Sequence, residues 1–391
     1  MLYRSSPIRK LATAASAILL FLAADIATAD ADVSEAHLAK SAPGTILRVW
    51  PLEGGAPDNA KAYRILYRSV GLNGEPIAVT GAAIFPDREK PASPRNVIAW
   101  AHPTSGVVSR CAPTLMPDIA GTIQGIDDML DANLVVVATD YVGLGTKDTH
   151  PYLVGVSAAR AVIDSVRAVR HLKDSGAGTR FAVWGHSQGG HAALFTGEHV
   201  REYAPELKLV GVAAAAPATY LAALFEADKN TSSGRSLSAM ALHSWSAFFK
   251  LPLDGVVAPG AFRAFQTLAS DCIESIEDFI KEDDDETRLA RHAFLLADPT
   301  TLPAWRAIMD RNTPGQSASS APLFLAQGTA DEVVGPHNTR TFMRASCRQG
   351  TKVKLHVLEG GTHMFAGRDS AGAAVRWMLD RFDGKPAPSD C

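Results

Sequence analysis

A serine set between a strand and a helix constrains this chain more than any other feature of its sequence. Gly185-His186-Ser187-Gln188-Gly189 follows the apolar run Phe181-Ala182-Val183-Trp184 and precedes a helical pattern over His191–Val200. The pentapeptide alone is a weak signal in a chain with 31 glycines. Its context makes it strong. A sharp strand-to-helix turn strains the serine backbone, pushes the hydroxyl outward and aims a helix N-terminus at it. Gly185 and Gly189 let the strand and helix approach each other closely. Such a turn demands strands that feed helices.

The rest of the chain alternates in that manner. Ala62–Val70 and Glu75–Phe85 read as strands joined by the turn Gly71-Leu72-Asn73-Gly74. Asn96–Ala101 and Leu134–Thr139 are short apolar runs, as expected of strands buried on both faces of a parallel sheet. Ser157–Asp174 has helical spacing, and Leu209–Ala215 is a strand of small residues. From about 217 to 314 strand signals vanish. Helical spacing appears near Leu221–Ala227, Leu237–Lys250, Ala261–Leu268, Cys272–Ile280 and Glu286–Leu296. Alternation then resumes with strand Pro322–Ala326, helix Asn338–Cys347, strand Lys352–Leu358 and helix Ala371–Phe382. The expected fold is α/β, a mostly parallel sheet flanked by helices, made of 30–216 and 315–391, with 217–314 inserted as a helical cap.

The N-terminus reads as a secretory signal peptide over 1–29. Arg4, Arg9 and Lys10 precede an apolar run from Leu11 to Ala24, and Ala27-Thr28-Ala29 offers a cleavage site. That run is too short for a membrane span, which needs about 20 residues. Cleavage removes three basic residues and one acidic residue. The balance becomes 35 basic against 40 acidic, a net −5. The expected location is secreted or periplasmic. Export permits disulfides. Cys111, Cys272, Cys347 and Cys391 allow three pairings, and the sequence does not choose. A Cys347–Cys391 bond would tie down the tail and leave Cys111 to Cys272.

Composition excludes several classes. At 47% hydrophobic and 20% charged, the chain is that of a protein with a sizeable core. The original net charge of −3 and the lack of a Lys/Arg-rich run argue against a nucleic-acid binder. There is no CxxC, no HExxH, no P-loop and no strand-flanked GxGxxG, so neither metal nor cofactor is expected. Glu282–Glu286 (EDDDE) lacks the spacing and glycine of a calcium loop, and is expected to be a solvated helix terminus.

A serine hydroxyl needs a base to take its proton. In this fold class the order is Ser, then Asp or Glu, then His. His363, in Gly360-Gly361-Thr362-His363 after the Lys352–Leu358 strand, is the expected base. His337 follows the acid too closely, and His356 lies within the strand. Asp331, after Leu323–Ala326, is the expected acid, with Glu332 as the alternative. The oxyanion needs two backbone N–H donors. Gln188, the residue after the nucleophile, supplies one. The other belongs to the His102–Gly106 loop. Pro103 has no N–H, so Thr104 is the choice, with Ser105 second.

Together these motifs resemble the secretory lipase family of α/β-hydrolases, typified by fungal A-type lipases and bacterial relatives. The resemblance rests on His102-x-Thr104-x-Gly106, on Asp140-Tyr141-x-Gly143-x-Gly145 followed by His150-Pro151-Tyr152, and on Ile163–Ala168. It rests also on Gly185–Gly190, Gly328-x-x-Asp331 and Gly361-Thr362-His363. It runs from about residue 45 to 385. Pro103 departs from it, since relatives carry His-Gly there. The resemblance implies an exported hydrolase of carboxylic esters, often acylglycerols, working under a helical cap without a cofactor. A serine exopeptidase of the same fold would need paired glutamates early in the cap, where only Glu226 stands. A binding protein would have no use for the whole triad. Acyl transfer to an alcohol uses the same triad and stays open. Leu242–Leu253, with Trp245, Phe248 and Phe249, could touch an acyl chain or a lipid surface, or simply pack the cap.

Overall fold

The computed structural model describes residues 33–52, 56–88, 92–273, 276–291 and 294–391. The signal-peptide reading of 1–29 lies outside them. A nine-stranded sheet runs in the order β1-β2-β3-β5-β4-β6-β7-β8-β9. The strands are β1 (Ile46–Pro51), β2 (Ala60–Val70), β3 (Pro76–Pro86), β4 (Arg95–Ala101), β5 (Val135–Thr139), β6 (Ala177–His186), β7 (Lys208–Ala215), β8 (Leu323–Gly328) and β9 (Val353–Leu358). β1, β2 and β3 are antiparallel, as is β3 on β5; β5, β4, β6, β7, β8 and β9 are parallel. Residues 71–74 make the β2–β3 turn. Gly71 N–H donates to Glu75 O at 2.8 Å, and Gly74 takes a positive φ of 92°.

Both faces of the sheet are covered, which is why β5 and β8 are buried at every position. One face carries α4 (Gly155–His171), α5 (Gln188–Tyr203) and α11 (Pro336–Arg348). The other carries α2 (Ile119–Thr122), α3 (Ile126–Asp131) and α12 (Ala366–Phe382). The short α1 (Glu35–Lys40) lies ahead of β1. Between β7 and β8 the long elements among the described residues are helices: α6 (Leu221–Asp228), α7 (Ser232–Phe249), α8 (Phe262–Ala269), α9 (Ile276–Ala290) and α10 (Pro303–Arg311). They form their own apolar cluster around Leu242, Trp245, Phe265 and Trp305.

Several expectations need correction. The helices expected at Cys272–Ile280 and Glu286–Leu296 are one helix, α9, and Leu295 instead makes a β-bridge to Val257. Strand β1 and helix α10 are present as well, although neither was among the expected elements. Glu282–Glu286 is not a solvated terminus. It lies inside α9, where Glu282, Asp285 and Glu286 are buried, and Arg235, Lys281 and Arg288 pair with two of them. Trp245 is fully buried and its indole N–H donates to Tyr152 O at 2.7 Å, so it packs the helices rather than facing a lipid surface. Two disulfides form, Cys111–Cys272 and Cys347–Cys391. Among the described residues no helix is long and apolar enough to cross a membrane.

Candidate active site

Ser187 sits at the end of β6, immediately before α5, with φ 56° and ψ −116°. A residue with a side chain enters this region of positive φ only under constraint. The constraint comes from both sides. Ser187 N–H donates to Ala215 O at the end of β7 at 2.9 Å, and its carbonyl accepts from His191 at 3.0 Å. Two glycines make the turn possible. A Cβ on Gly185 would lie 2.2 Å from Gly189 O, and one on Gly189 would lie 1.8 Å from Ala101 O. The second contact also brings the loop after β4 against the start of α5.

The three residues read from the sequence meet here. Ser187 Oγ donates to His363 Nε2 at 2.9 Å, and His363 Nδ1–H donates to Asp331 Oδ2 at 2.9 Å. Asp331 is buried, while Glu332 is exposed and takes no part. The Asp331 carboxylate is held from every side. Oδ1 accepts the amides of Val333 and Val334 at 3.0 and 2.8 Å, and Oδ2 accepts Gln327 Nε2 at 3.0 Å. Burial pushes its pKa up, but these bonds and His363 outweigh it and hold the group below the usual carboxylate value. His363 is held by its backbone as well. Its carbonyl accepts His186 Nε2–H at 2.9 Å, and burial keeps the His186 ring neutral, with a pKa pushed down to about 3.

Gln188 lines the cavity beside Ser187, and Thr104 lies in the loop after β4, which packs against the start of α5 at Gly189. Among the described residues, neither the Gln188 nor the Thr104 backbone N–H is spent on another group. The loop carrying Thr104 is fixed by its neighbours. Buried His102 donates Nδ1–H to Pro103 O at 2.6 Å, and Tyr141 OH donates to His102 O at 3.0 Å. Ser105 points elsewhere, its hydroxyl bonded to Cys111 O at 2.8 Å. The sequence marked His150-Pro151-Tyr152 as a family motif but gave the segment no role at the site. Tyr152 OH meets Thr104 Oγ1 at 2.8 Å, and His150 Nε2 accepts Gln188 Nε2 at 3.3 Å. Helix α7 fastens that segment: Ser244 Oγ accepts Tyr152 N–H at 2.9 Å and donates to His150 O at 2.6 Å. The helices between β7 and β8 therefore reach the loop that carries Thr104 through one short stretch of chain.

A cavity of about 50 Å³ lies against Ser187 and Gln188, walled by α6, α7 and Val333–Val334. It is mostly apolar. Glu226 is outside it, exposed and paired with Lys229 at 2.7 Å, so the glutamates that an exopeptidase pocket would need are missing from its walls.

A model of the family described as secretory lipase matches residues 119–390. The chain belongs to the secretory lipase family. It is a carboxylic ester hydrolase of that family. It is 26% identical to Lipase A of Arthroderma benhamiae over 378 residues, covering 89% of this chain and 78% of that protein. It is 24% identical to a Mycobacterium tuberculosis protein named a probable inactive lipase, covering 88% and 79%. Candida antarctica lipase A in its closed state superposes with a TM-score of 0.74 at 17% identity, covering 90% of this chain and 87% of that one. A secretory lipase relative named as inactive puts the weight of a functional reading on the site itself.

Proposed function

We propose that this secretory lipase is an exported serine esterase that works through an acyl-enzyme, with Ser187, His363 and Asp331 as its triad. Ser187 Oγ attacks the ester carbonyl carbon as its proton passes to His363 Nε2. The carbonyl oxygen becomes an oxyanion held by the amides of Gln188 and Thr104. Asp331 fixes the imidazole tautomer and balances the imidazolium. The alcohol leaves with the proton from His363. Water, deprotonated by His363, then attacks the acyl-enzyme, and the acid departs. No step calls for a metal or cofactor. The observation that carries this reading is the unbroken hydrogen-bond chain from Ser187 through His363 to Asp331, beside two unspent amides.

Residues 217–314 act as an inserted cap over the site. The cavity beneath it takes a short acyl group; about 50 Å³ is room for only a few waters. Export through a signal peptide at 1–29 accords with two disulfides.

The experiment is hydrolysis of p-nitrophenyl esters from acetyl to palmitoyl, with Ser187→Ala alongside. Activity that peaks at a short acyl group and vanishes in the variant is expected. Equal rates for wild type and variant would remove Ser187 from the chemistry. A palmitoyl optimum would instead require α6 and α7 to part and enlarge the cavity.

A further inference from the structure

The cavity beside Ser187 has apolar walls, among them Leu221, Leu224, Phe225 and Val333, and one carboxylate, Asp228. That carboxylate is badly placed for the fold. It closes α6, at the helix end whose exposed carbonyls already carry negative partial charge. It is half-buried, and no hydrogen bond or ion pair holds it among the described residues. Its chain neighbour Lys229 is already engaged by Glu226 at 2.7 Å and Asp298 at 3.4 Å. Burial first, then the charge of Asp331, push its pKa up to about 6, while His363 acts in the opposite sense.

The turn beneath Asp228 is fixed. Its carbonyl accepts Thr231 N–H at 2.8 Å and the Thr231 hydroxyl at 2.9 Å. Thr231 Oγ1 in turn accepts Gly234 N–H at 3.0 Å. A Cβ on Gly234 would lie 1.9 Å from the Asp228 carbonyl oxygen, so a glycine there lets α7 begin against it. The side chain is therefore held on the cavity wall by an ordered turn. A charge that weakens the fold, lacks an internal partner and stands in a substrate cavity marks a functional position rather than a packing one.

We propose that Asp228 is a specificity-determining residue whose carboxylate accepts a hydrogen bond from a hydroxyl group of the bound ester, so that the enzyme favours hydroxylated esters over their alkyl counterparts. This rests on the reading of Ser187 as the nucleophile of an ester hydrolase. A purely apolar cavity would discriminate weakly between a hydroxyl and a methyl group. An unpaired carboxylate discriminates strongly, because the alkyl ester leaves it desolvated with nothing in return.

Two pairs of substrates test it. p-Nitrophenyl 3-hydroxybutyrate and p-nitrophenyl 3-methylbutyrate differ by hydroxyl against methyl in the acyl half. 2-Hydroxyethyl butyrate and propyl butyrate differ likewise in the alcohol half. The expected result is a kcat/KM ratio of about ten in favour of the hydroxylated ester in one pair. The pair that shows it identifies which half of the ester faces Asp228. Asp228→Leu should invert that preference, and Asp228→Asn, which keeps an acceptor oxygen, should retain part of it. The proposal is overturned if wild type prefers the alkyl ester, or neither, in both pairs, which wild type alone decides. It is equally overturned if Asp228→Leu keeps the wild-type ratio. The underlying reading fails separately, and visibly, if Ser187→Ala hydrolyses p-nitrophenyl butyrate as fast as wild type.

Discussion

Two carboxylates, one bonded to His363 and one on the wall of the cavity beside Ser187, are treated in opposite ways. Asp331 belongs to the loop after β8, and four donors hold it: the amides of Val333 and Val334, the Gln327 side chain and His363. Asp228 belongs to the helices between β7 and β8, and none holds it among the described residues. The first is stabilised as an anion and the second is destabilised as one. The sheet side of the site is thus a finished electrostatic device whose groups serve one another. On the helical side, by the proposal above, the substrate would supply the missing partner. Groups that perform the same chemistry on every substrate can be satisfied internally. A group that reads the substrate must be left unsatisfied until the substrate arrives.

The contrast can be broken first at Ser187. Replacing it with Ala should lower kcat by about a million-fold, since nothing else on the sheet side can serve as nucleophile. Steady-state release of p-nitrophenol measures this, and a loss below a hundred-fold would mean the site is not the one described. Asp331→Asn comes next, with a fall in kcat of about ten thousand-fold through a misoriented imidazole. It should also destabilise the protein at neutral pH. The carboxylate's folded pKa lies below its unfolded value, so its contribution is present above the unfolded value and is lost as pH falls through the folded one. Thermal unfolding at pH 7 and at acid pH separates the two effects.

The disulfides sharpen the contrast between the helical side and the rest. Cys111–Cys272 ties the flank of the His102–Gly106 loop to the helices across a separation of 161 residues, and Cys347–Cys391 ties α11 to the C-terminus across 44. Removing the first should cost about 5 kcal/mol and the second about 4 kcal/mol, by the entropy of the closed loop. Only the first should lower kcat/KM as well. Denaturant titration of Cys272→Ser and Cys391→Ser, alongside ester hydrolysis, checks the pair. A smaller effect belongs to Ser244→Ala. It leaves Tyr152 N–H and His150 O buried without their bridge, a loss of about 1–3 kcal/mol, with a several-fold drop in kcat because Thr104 and Gln188 lose their support.

The smallest expected effect has the opposite sign. Asp228→Asn should raise the melting temperature at pH 7 by about 2 °C. The raised folded pKa, about 6, means that this group favours the fold below its unfolded value of 3.8, and that the benefit is lost as pH rises through 6. The gain should therefore shrink toward pH 4. Asp331 and His363 are the titratable groups that act on it, and both remain in the variant. A variant less stable than wild type at pH 7 would mean that the carboxylate has a structural partner after all.

Much of this site was legible in the sequence because each part carries its own local signature. The nucleophile turn is written by Gly185 and Gly189 around Ser187. Asp331 and His363 follow two clear strands in the order that the topology requires. The proline at 103 removes one oxyanion donor by covalent structure alone. Other parts were not legible. Glu282–Glu286 reads as a charged surface because Arg235, the partner of Glu286, stands far from it in the chain, and the burial of the run comes from helices packed across it. Strand β1 escaped notice because an edge strand buries little and alternates weakly, as its half-buried and exposed positions attest.

The sequence by itself determined the alternation of strands and helices, the strained serine between them, and the order of Ser187, Asp331 and His363 along the chain. These are short-range matters of periodicity and backbone sterics, or follow from topology. Only the tertiary structure decided which of three cysteine pairings forms, that His150–Tyr152 links α7 to the His102–Gly106 loop, and that Asp228 lines the cavity beside Ser187 with no hydrogen-bond partner among the described residues. Each depends on residues far apart in the chain meeting across a packed interface. What a buried polar group lacks is a property of everything folded around it, and no local pattern records it.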